Sequence, residues 1–199
     1  MKKIMMTMAA TVVALTMNAQ GMYVGGSLGF NTKSHDGNTL NSSFSIIPEF
    51  GVNFNEKMAV GMEIGYSHDN DKTNKSGNTG YELKTNTFKV APYFRYTAVR
   101  MGNLGLFADG KFSYSTSTNK RDYVQSSSSN TKYTTNTFGV YIQPGVSYSL
   151  NDNFSLVAKF GNIFGFTSSK PDIDGAKATK TIDVLKLSNN ISFGFYYNF

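Results

Sequence analysis

The chain has 199 residues, 16% of them charged and 14% aromatic, with 19 Gly, 16 Phe, 12 Tyr and neither Cys nor Trp. The length is that of one domain. The missing cysteines exclude a disulfide framework, a zinc ribbon, a thiol enzyme and lipidation of an N-terminal cysteine, and the aromatic content excludes a disordered chain. A mean hydropathy of −0.29 leaves no room for a long apolar helix behind the N-terminal segment. It suits a chain whose strands present apolar groups to lipid only at every second residue.

The chain opens with Lys2 and Lys3, an apolar stretch from Ile4 to Leu15 broken by Thr7 and Thr11, and a polar run ending in Ala19 and Gln20. A basic start, a short apolar segment and a small residue form a secretory signal peptide. Residues 1–19 are therefore expected to be cleaved and 20–199 to form one domain. The competing reading is a short helix that opens the mature protein. The apolar run is too short to cross a bilayer. Loss of Lys2 and Lys3 takes two from the formal net charge of +6. An isoelectric point near 9.3 raises the question of nucleic acid, but the basic residues form no cluster and an exported chain meets no such partner.

From Gly21 onward apolar residues recur with period two, which predicts eight strands. The first, about Met22 to Asn31, sets Met22, Val24, Leu28 and Phe30 against Tyr23, Gly25, Ser27 and Gly29. The second, about Phe44 to Phe54, puts Phe44, Ile46, Phe50 and Val52 outward and Ser45, Glu49 and Gly51 inward. The third, about Met58 to Ser67, alternates almost perfectly. The fourth, about Phe88 to Tyr96, opposes Phe88, Val90 and Phe94 to Lys89, Ala91, Tyr93 and Arg95. The fifth spans about Leu104 to Tyr114 and the sixth about Phe138 to Leu150. The seventh, about Phe154 to Phe166, is irregular at Asn162, where a bulge is expected. The eighth, about Leu185 to Phe199, ends in alternating aromatics.

Connections alternate in length. Short ones follow strands two, four and six, at Asn55-Glu56, Thr97 to Asn103 and Asn151 to Asn153. Long ones rich in Ser, Thr, Asn, Gly and Lys are expected at about Thr32 to Ser43, His68 to Thr87, Ser115 to Thr137 and Thr167 to Thr181. Short turns at one rim and long loops at the other describe a membrane barrel. Aromatics such as Phe44 and Phe54, or Phe138 and Tyr148, stand about ten residues apart, a rise of roughly 23 Å at 3.3 Å per residue and 45° tilt. This matches an apolar band between two aromatic girdles. Pro48, Pro92 and Pro144 recur at equivalent positions in strands two, four and six. A proline cannot donate to the ladder, so bulges are expected there.

The strand–turn blocks Asn53-Phe54-Asn55-Glu56-Lys57-Met58 and Leu150-Asn151-Asp152-Asn153-Phe154, the leader, and the closing Ile191-Ser-Phe193-Gly-Phe195-Tyr-Tyr197-Asn-Phe199 carry a resemblance. Over nearly all the mature chain, the pattern resembles the small outer-membrane β-barrels of Gram-negative envelopes, of the OmpX and OmpA-transmembrane-domain type. The resemblance implies an all-β, eight-stranded antiparallel up-and-down transmembrane barrel in the outer membrane. It also implies contacts with outer-membrane lipid and lipopolysaccharide, and makes Phe193, Phe195, Tyr197 and Phe199 the signal read by the barrel-assembly machinery. The chain departs from the family in lacking Trp, which leaves Tyr and Phe to form the girdles.

The inward faces carry Glu49, Glu63 and Asp109 beside Lys89, Arg95, Lys111 and Lys159. In a narrow barrel such charges read as a plug of ion pairs; the competing reading is a gated conduction path through a polar lumen. Loop cations, among them Lys72, Lys75, Lys120, Arg121 and Lys132, are placed to meet phosphorylated glycolipid or simply to solvate the loops. His35 and His68, each followed by Asp and close to Ser, have the composition of a lipid-modifying site without a matching motif. Asp69-Asn70-Asp71 begins like a calcium loop, but Thr73 and Asn74 stand where its next ligand and glycine belong. Ser126 to Asn130 reads as an exposed loop tip. No catalytic residue, cofactor or metal is expected. The functional expectation is an envelope-structural or surface-interaction protein, then a small porin-like channel, then a lipid-modifying enzyme.

Overall fold

The computed structural model describes residues 21–35, 38–72, 75–76, 79–123, 131–187 and 191–199. The expected leader and the serine-rich tip at 126–130 lie outside the described residues, as do Asp36, Thr73 and Asn74. The strands are β1 (Met22–His35), β2 (Asn38–Asn53), β3 (Met58–Asp71), the short β4 (Lys75–Ser76), β5 (Thr79–Met101), β6 (Leu104–Tyr123), β7 (Thr131–Ser149), β8 (Phe154–Lys159), β9 (Asn162–Pro171), β10 (Thr179–Lys186) and β11 (Ser192–Asn198). No helix occurs among the described residues.

Every pairing is antiparallel, and β1, β2, β3, β5, β6 and β7 follow one another in the sheet. β8 and β9 together make the seventh stave, β10 and β11 the eighth, and β4 is a two-residue ribbon on the start of β5. β1 closes the sheet against β11, from Tyr23 opposite Asn198 to Leu28 opposite Phe193, so that eight staves form a barrel. Closure hides the backbone polar groups that hydrocarbon cannot solvate. Alternation then sorts the side chains. Leu106, Phe112 and Tyr114 on β6 are exposed outside, whereas Phe107, Asp109, Lys111 and Ser113 are buried inside.

Two short turns share one device. The Asn55 side-chain oxygen accepts from the backbone N–H groups of Lys57 and Met58, each at 2.8 Å. Asn151 accepts in the same way from Asn153 at 2.9 Å and Phe154 at 2.8 Å. These Asx turns fix the chain reversal that the repeated sequence blocks encode. The third turn passes through Gly102, whose φ of 56° lies in the left-handed region open to glycine.

The long connections expected at one rim are, for the most part, strand. β5 begins at Thr79 rather than near Phe88, β6 runs on to Tyr123, and β7 starts at Thr131. The register continues without a shift from Tyr114 opposite Phe138 to Arg121 opposite Thr131. Ser, Thr and Asn on both faces leave no hydrophobic alternation to read, but Thr and Tyr favour strands and their hydroxyls bond across them. Thr87 meets Ser117, and Thr137 meets Ser169, each at 2.8 Å. The staves therefore rise as a palisade above the aromatic row.

The bulge expected near Asn162 is present. Lys159 faces Gly145 while Phe164 faces Ile142, so the seventh stave spends five steps against three on β7. Bulges at Pro48 and Pro92 are absent. Pro48 faces Gly26 and Pro92 faces Met62 in unbroken register, and the shifts fall instead at Lys33/Ser34 and Thr97/Val99. A proline lacks its N–H toward one neighbour only, so the ladder forfeits a bond there without an extra residue.

Candidate functional site: a charged layer across the lumen

All eight staves send a side chain into one layer of the lumen: Tyr23 from β1, Glu49 from β2, Glu63 from β3, Arg95 from β5, Asp109 and Lys111 from β6, Gln143 from β7, Lys159 from β8 and Tyr196 from β11. Period-two alternation places these residues inward, and barrel closure brings residues more than a hundred positions apart within bonding distance. Arg95 grips Asp109 with Nε at 2.7 Å and a terminal nitrogen at 2.9 Å; the same nitrogen reaches Glu49 at 3.2 Å. Lys159 donates to Glu49 at 2.5 Å and to Glu63 at 2.7 Å. Lys111 donates to Glu63 and, at 2.6 Å, to the Gln143 side-chain oxygen. The Tyr196 hydroxyl donates to Glu49 at 2.7 Å, and the Tyr23 and Tyr93 hydroxyls bond to each other.

Three carboxylates thus face three cations, and every one of the six is buried, Asp109 completely. Bidentate and charge-assisted bonds offset the cost of taking these charges out of water. Aromatic rings close the gaps: the Arg95 guanidinium lies 4.0 Å from the centre of the Phe107 ring and 5.2 Å from those of Tyr93 and Tyr196. Glu49, Glu63 and Asp109 bring carboxylate oxygens within 4.8 Å of one another, the spacing of a cation site. Lys159, Lys111 and Arg95 already balance them, so the donor set is that of an ion-pair cluster and offers a divalent ion no uncompensated charge.

Of the seven interior charges read from the sequence, the structure brings together Glu49, Glu63, Arg95, Asp109, Lys111 and Lys159. Lys89 stands apart, its ammonium 5.5 Å from the centre of the Tyr141 ring. Gln143, Tyr23, Tyr93 and Tyr196 belong to the layer as well. Tyr23, Tyr93 and Gln143 are inward by the alternation of the sequence, and Tyr196 shares that parity but carries no formal charge to mark it.

Above the aromatic row, outward alternation puts Lys72, Glu82, Lys84, Lys120, Asp122 and Lys132 on the outside of the palisade. Asp122 forms an ion pair with Lys120 at 2.8 Å and accepts from Lys84 at 3.1 Å, while Lys72 and Lys84 approach Glu82 at 4.0 and 3.9 Å. Bonds from Lys120 first and Lys84 second hold the Asp122 carboxyl below its ordinary range. Arg121 does not share this face. It points into the lumen over the Tyr81 ring at 5.2 Å, beside the Tyr81–Tyr123 pair. Lys75 lies in β4, and its side chain is outside the described residues.

His68 shares the Asn86 side-chain oxygen with the Tyr66 hydroxyl, at 2.8 and 3.0 Å, so its partner is an amide rather than a serine. The His35 side chain lies outside the described residues. Phe193, Phe195, Tyr197 and Phe199 alternate outward at the closing stave, and Tyr197 packs edge-on against Phe154 at 5.1 Å and Phe199 at 5.0 Å.

A closed barrel with an apolar outer band and a charged, buried interior is the architecture of an integral outer-membrane protein. The sequence matches the outer membrane protein beta-barrel domain family over residues 4–199, and the chain belongs to that family. No curated protein matches it. Solved structures similar to it include Neisserial surface protein A, at 15% identity, covering 89% of this chain and 97% of that one with a TM-score of 0.44. A major outer membrane protein from Thermus thermophilus is 10% identical, covering 89% and 99%, with a TM-score of 0.46. Ail, the attachment invasion locus protein of Yersinia pestis, is 12% identical, covering 92% and 100%, with a TM-score of 0.40.

Proposed function

We propose that the protein is a non-enzymatic, non-conducting surface barrel, whose plugged lumen stiffens a palisade that makes contacts outside the cell. The observation that carries this reading is the charge layer to which all eight staves contribute. An eight-stave interior is just wide enough for side chains to fill, and here they are bulky and tied to one another. An ion crossing that level has to separate Arg95 from Asp109 or Lys159 from Glu49, contacts that breaking leaves as uncompensated buried charge. Addition of refolded protein to a planar bilayer, with a boiled-versus-unboiled gel shift to establish folding, is expected to give no current. Reproducible discrete steps from the folded protein would overturn the plug and favour a channel.

The outer rim gives the contacts their chemistry. Lys120 and Lys132 are cross-strand neighbours on the outer face, and Asp122 engages Lys120. No ion pair involves Lys132 among the described residues. Cations at this height suit the phosphates of lipopolysaccharide. Lipopolysaccharide retained through purification is expected to fall several-fold in a Lys120→Ala, Lys132→Ala double variant; unchanged retention would remove that partner from the proposal. Phe193, Phe195, Tyr197 and Phe199 are proposed as the assembly signal, with Phe199→Ser expected to leave the chain in the periplasm.

A further inference from the structure

Above the apolar band, the staves differ in how soon a cation appears. The band ends at Tyr66 on β3, Phe88 on β5, Tyr114 on β6 and Phe138 on β7, and the next outward residues are His68, Asn86, Thr116 and Asn136. Lysine comes at the second outward step on β5, at Lys84, and at the third on β3, β6 and β7, at Lys72, Lys120 and Lys132. The β9–β10 hairpin breaks this order. Its band ends at Phe166 opposite Ile182, and Lys180 is the first outward residue above Ile182, facing Ser168 in register. Lys170, two steps above Phe166, faces Asn136 of β7. At about 3.3 Å per residue and 45° tilt each step rises roughly 5 Å, while headgroups add roughly 5–7 Å to each side of the hydrocarbon. Lys180 therefore stands within the headgroup layer, and the long side chain of Lys170 reaches it from one step higher.

These two lysines are also uncompensated. Lys72 and Lys84 have Glu82, and Lys84 and Lys120 have Asp122. No ion pair involves Lys170 or Lys180 among the described residues, and both are exposed. The carboxylates of the hairpin lie elsewhere: Asp172 and Asp174 in the turn above, and Asp183 paired with Lys186 at 2.5 Å. Neutral donors share the outward face. Asn136 Oδ1 accepts from the Tyr114 hydroxyl at 3.2 Å and the Thr116 hydroxyl at 3.0 Å, which leaves the amide nitrogen to donate, and Ser168 adds a hydroxyl.

We propose that the outward face of β9–β10 holds the phosphomonoester of a glycolipid of the lipid A kind between Lys170 and Lys180, with Asn136 and Ser168 donating to its remaining oxygens. Two lysines without an acid match the charge of a phosphomonoester, about −1.5 to −2. A phosphodiester carries a single negative charge and leaves one lysine unmatched. The acyl chains lie against Phe138, Phe166 and Ile182, the end of the apolar band directly below. The inference rests on the reading of lipopolysaccharide as a partner and adds a contact at lipid level, below Lys120 and Lys132.

The test uses the refolded protein in phosphatidylcholine vesicles containing bisphosphorylated lipid A without core sugars, extracted in mild detergent and weighed by native mass spectrometry. Lipid A is expected to be retained in preference to its dephosphorylated form. Phosphatidic acid, a phosphomonoester, should be retained in preference to phosphatidylglycerol, a diester. A Lys170→Ala, Lys180→Ala double variant should lower lipid A retention about thirtyfold, the worth of two cations near an anionic surface. Lys170→Arg with Lys180→Arg keeps both charges and should preserve it, and the Lys120→Ala, Lys132→Ala variant should retain lipid A in full. The gel shift establishes folding for each. Equal retention of the phosphorylated and dephosphorylated forms, equal retention of phosphatidic acid and phosphatidylglycerol, or undiminished retention in the folded Lys170→Ala, Lys180→Ala variant would each overturn the proposal. If whole lipopolysaccharide is kept while lipid A is not, the contact at Lys120 and Lys132 stands and this one falls.

Discussion

Arg95 holds two carboxylates and a tyrosine hydroxyl at once, with an aromatic ring stacked beneath its guanidinium. Lysine cannot reproduce that fork. Arg95→Ala strands Asp109 without its main partner, and urea unfolding in vesicles should show a loss of about 3–5 kcal/mol. A loss within error of zero would mean that water reaches Asp109. Single residues above the membrane carry the pH dependence. Asp122 titrates below its ordinary range because Lys120, then Lys84, bonds its charged form. That contribution to folding is therefore complete above the unfolded carboxylate value and is lost as pH falls through the depressed one. Asp69 has the opposite sign. Burial raises it, against the opposing charge of His68, so its ionised form disfavours folding at neutral pH and the penalty vanishes on acidification. Carboxyl-carbon NMR titration should place the two midpoints on opposite sides of the ordinary Asp value, and Lys120→Ala should move Asp122 upward while leaving Asp69 still.

At the scale of elements, the break in the seventh stave shows how a bulge is held. Phe160 N–H donates to the Pro144 carbonyl, and Gly161 N–H donates to that of Leu187, each at 3.0 Å. A Cβ on Gly161 would lie 1.8 Å from the Lys186 carbonyl oxygen. Gly161→Ala must push backbone apart and should cost about 1–3 kcal/mol in the same unfolding measurement. The palisade permits a different test. Removing residues 83–86 and 118–121 deletes four facing pairs, an even number that preserves the inward and outward alternation. The shortened barrel should still give a heat-modifiable band but retain less lipopolysaccharide, since Lys84 and Lys120 go with the deletion. Legibility in the sequence stops at the aromatic row these hairpins cross. Below it, Phe, Ile and Val against Gly and Ser announce each strand. Above it, Thr85, Ser117 and Asn119 are polar on a face whose opposite side is polar too, so nothing in the pattern distinguishes ladder from loop. Pro48 and Pro92 misled for a related reason, whereas the break in the seventh stave does fall opposite Pro144. Pro92 looks like an interruption in a linear string, yet in the sheet it leaves the register intact.

The whole molecule closes its lower lumen with the charge layer, above which Lys89 stands beside the Tyr141 ring. A folded Arg95→Ala protein is expected to pass current before any variant at Lys89 does, because Lys89 lies in no ion pair of the plug; current through Lys89→Gln with none through Arg95→Ala would reverse the assignment of the two levels. The alternation of apolar and polar residues by itself determined that this chain forms eight strands with one face toward lipid, since period two leaves no other way to bury both patterns. It also determined which charged residues point inward, since parity carries through each strand. Only the tertiary structure decided which of those charges meet. Glu49 and Lys159 are 110 positions apart, and their contact depends on closure and register, which no local pattern encodes. The same holds for the eighth stave, whose upper part, β10, pairs with β9 while its lower part, β11, joins β8 to β1.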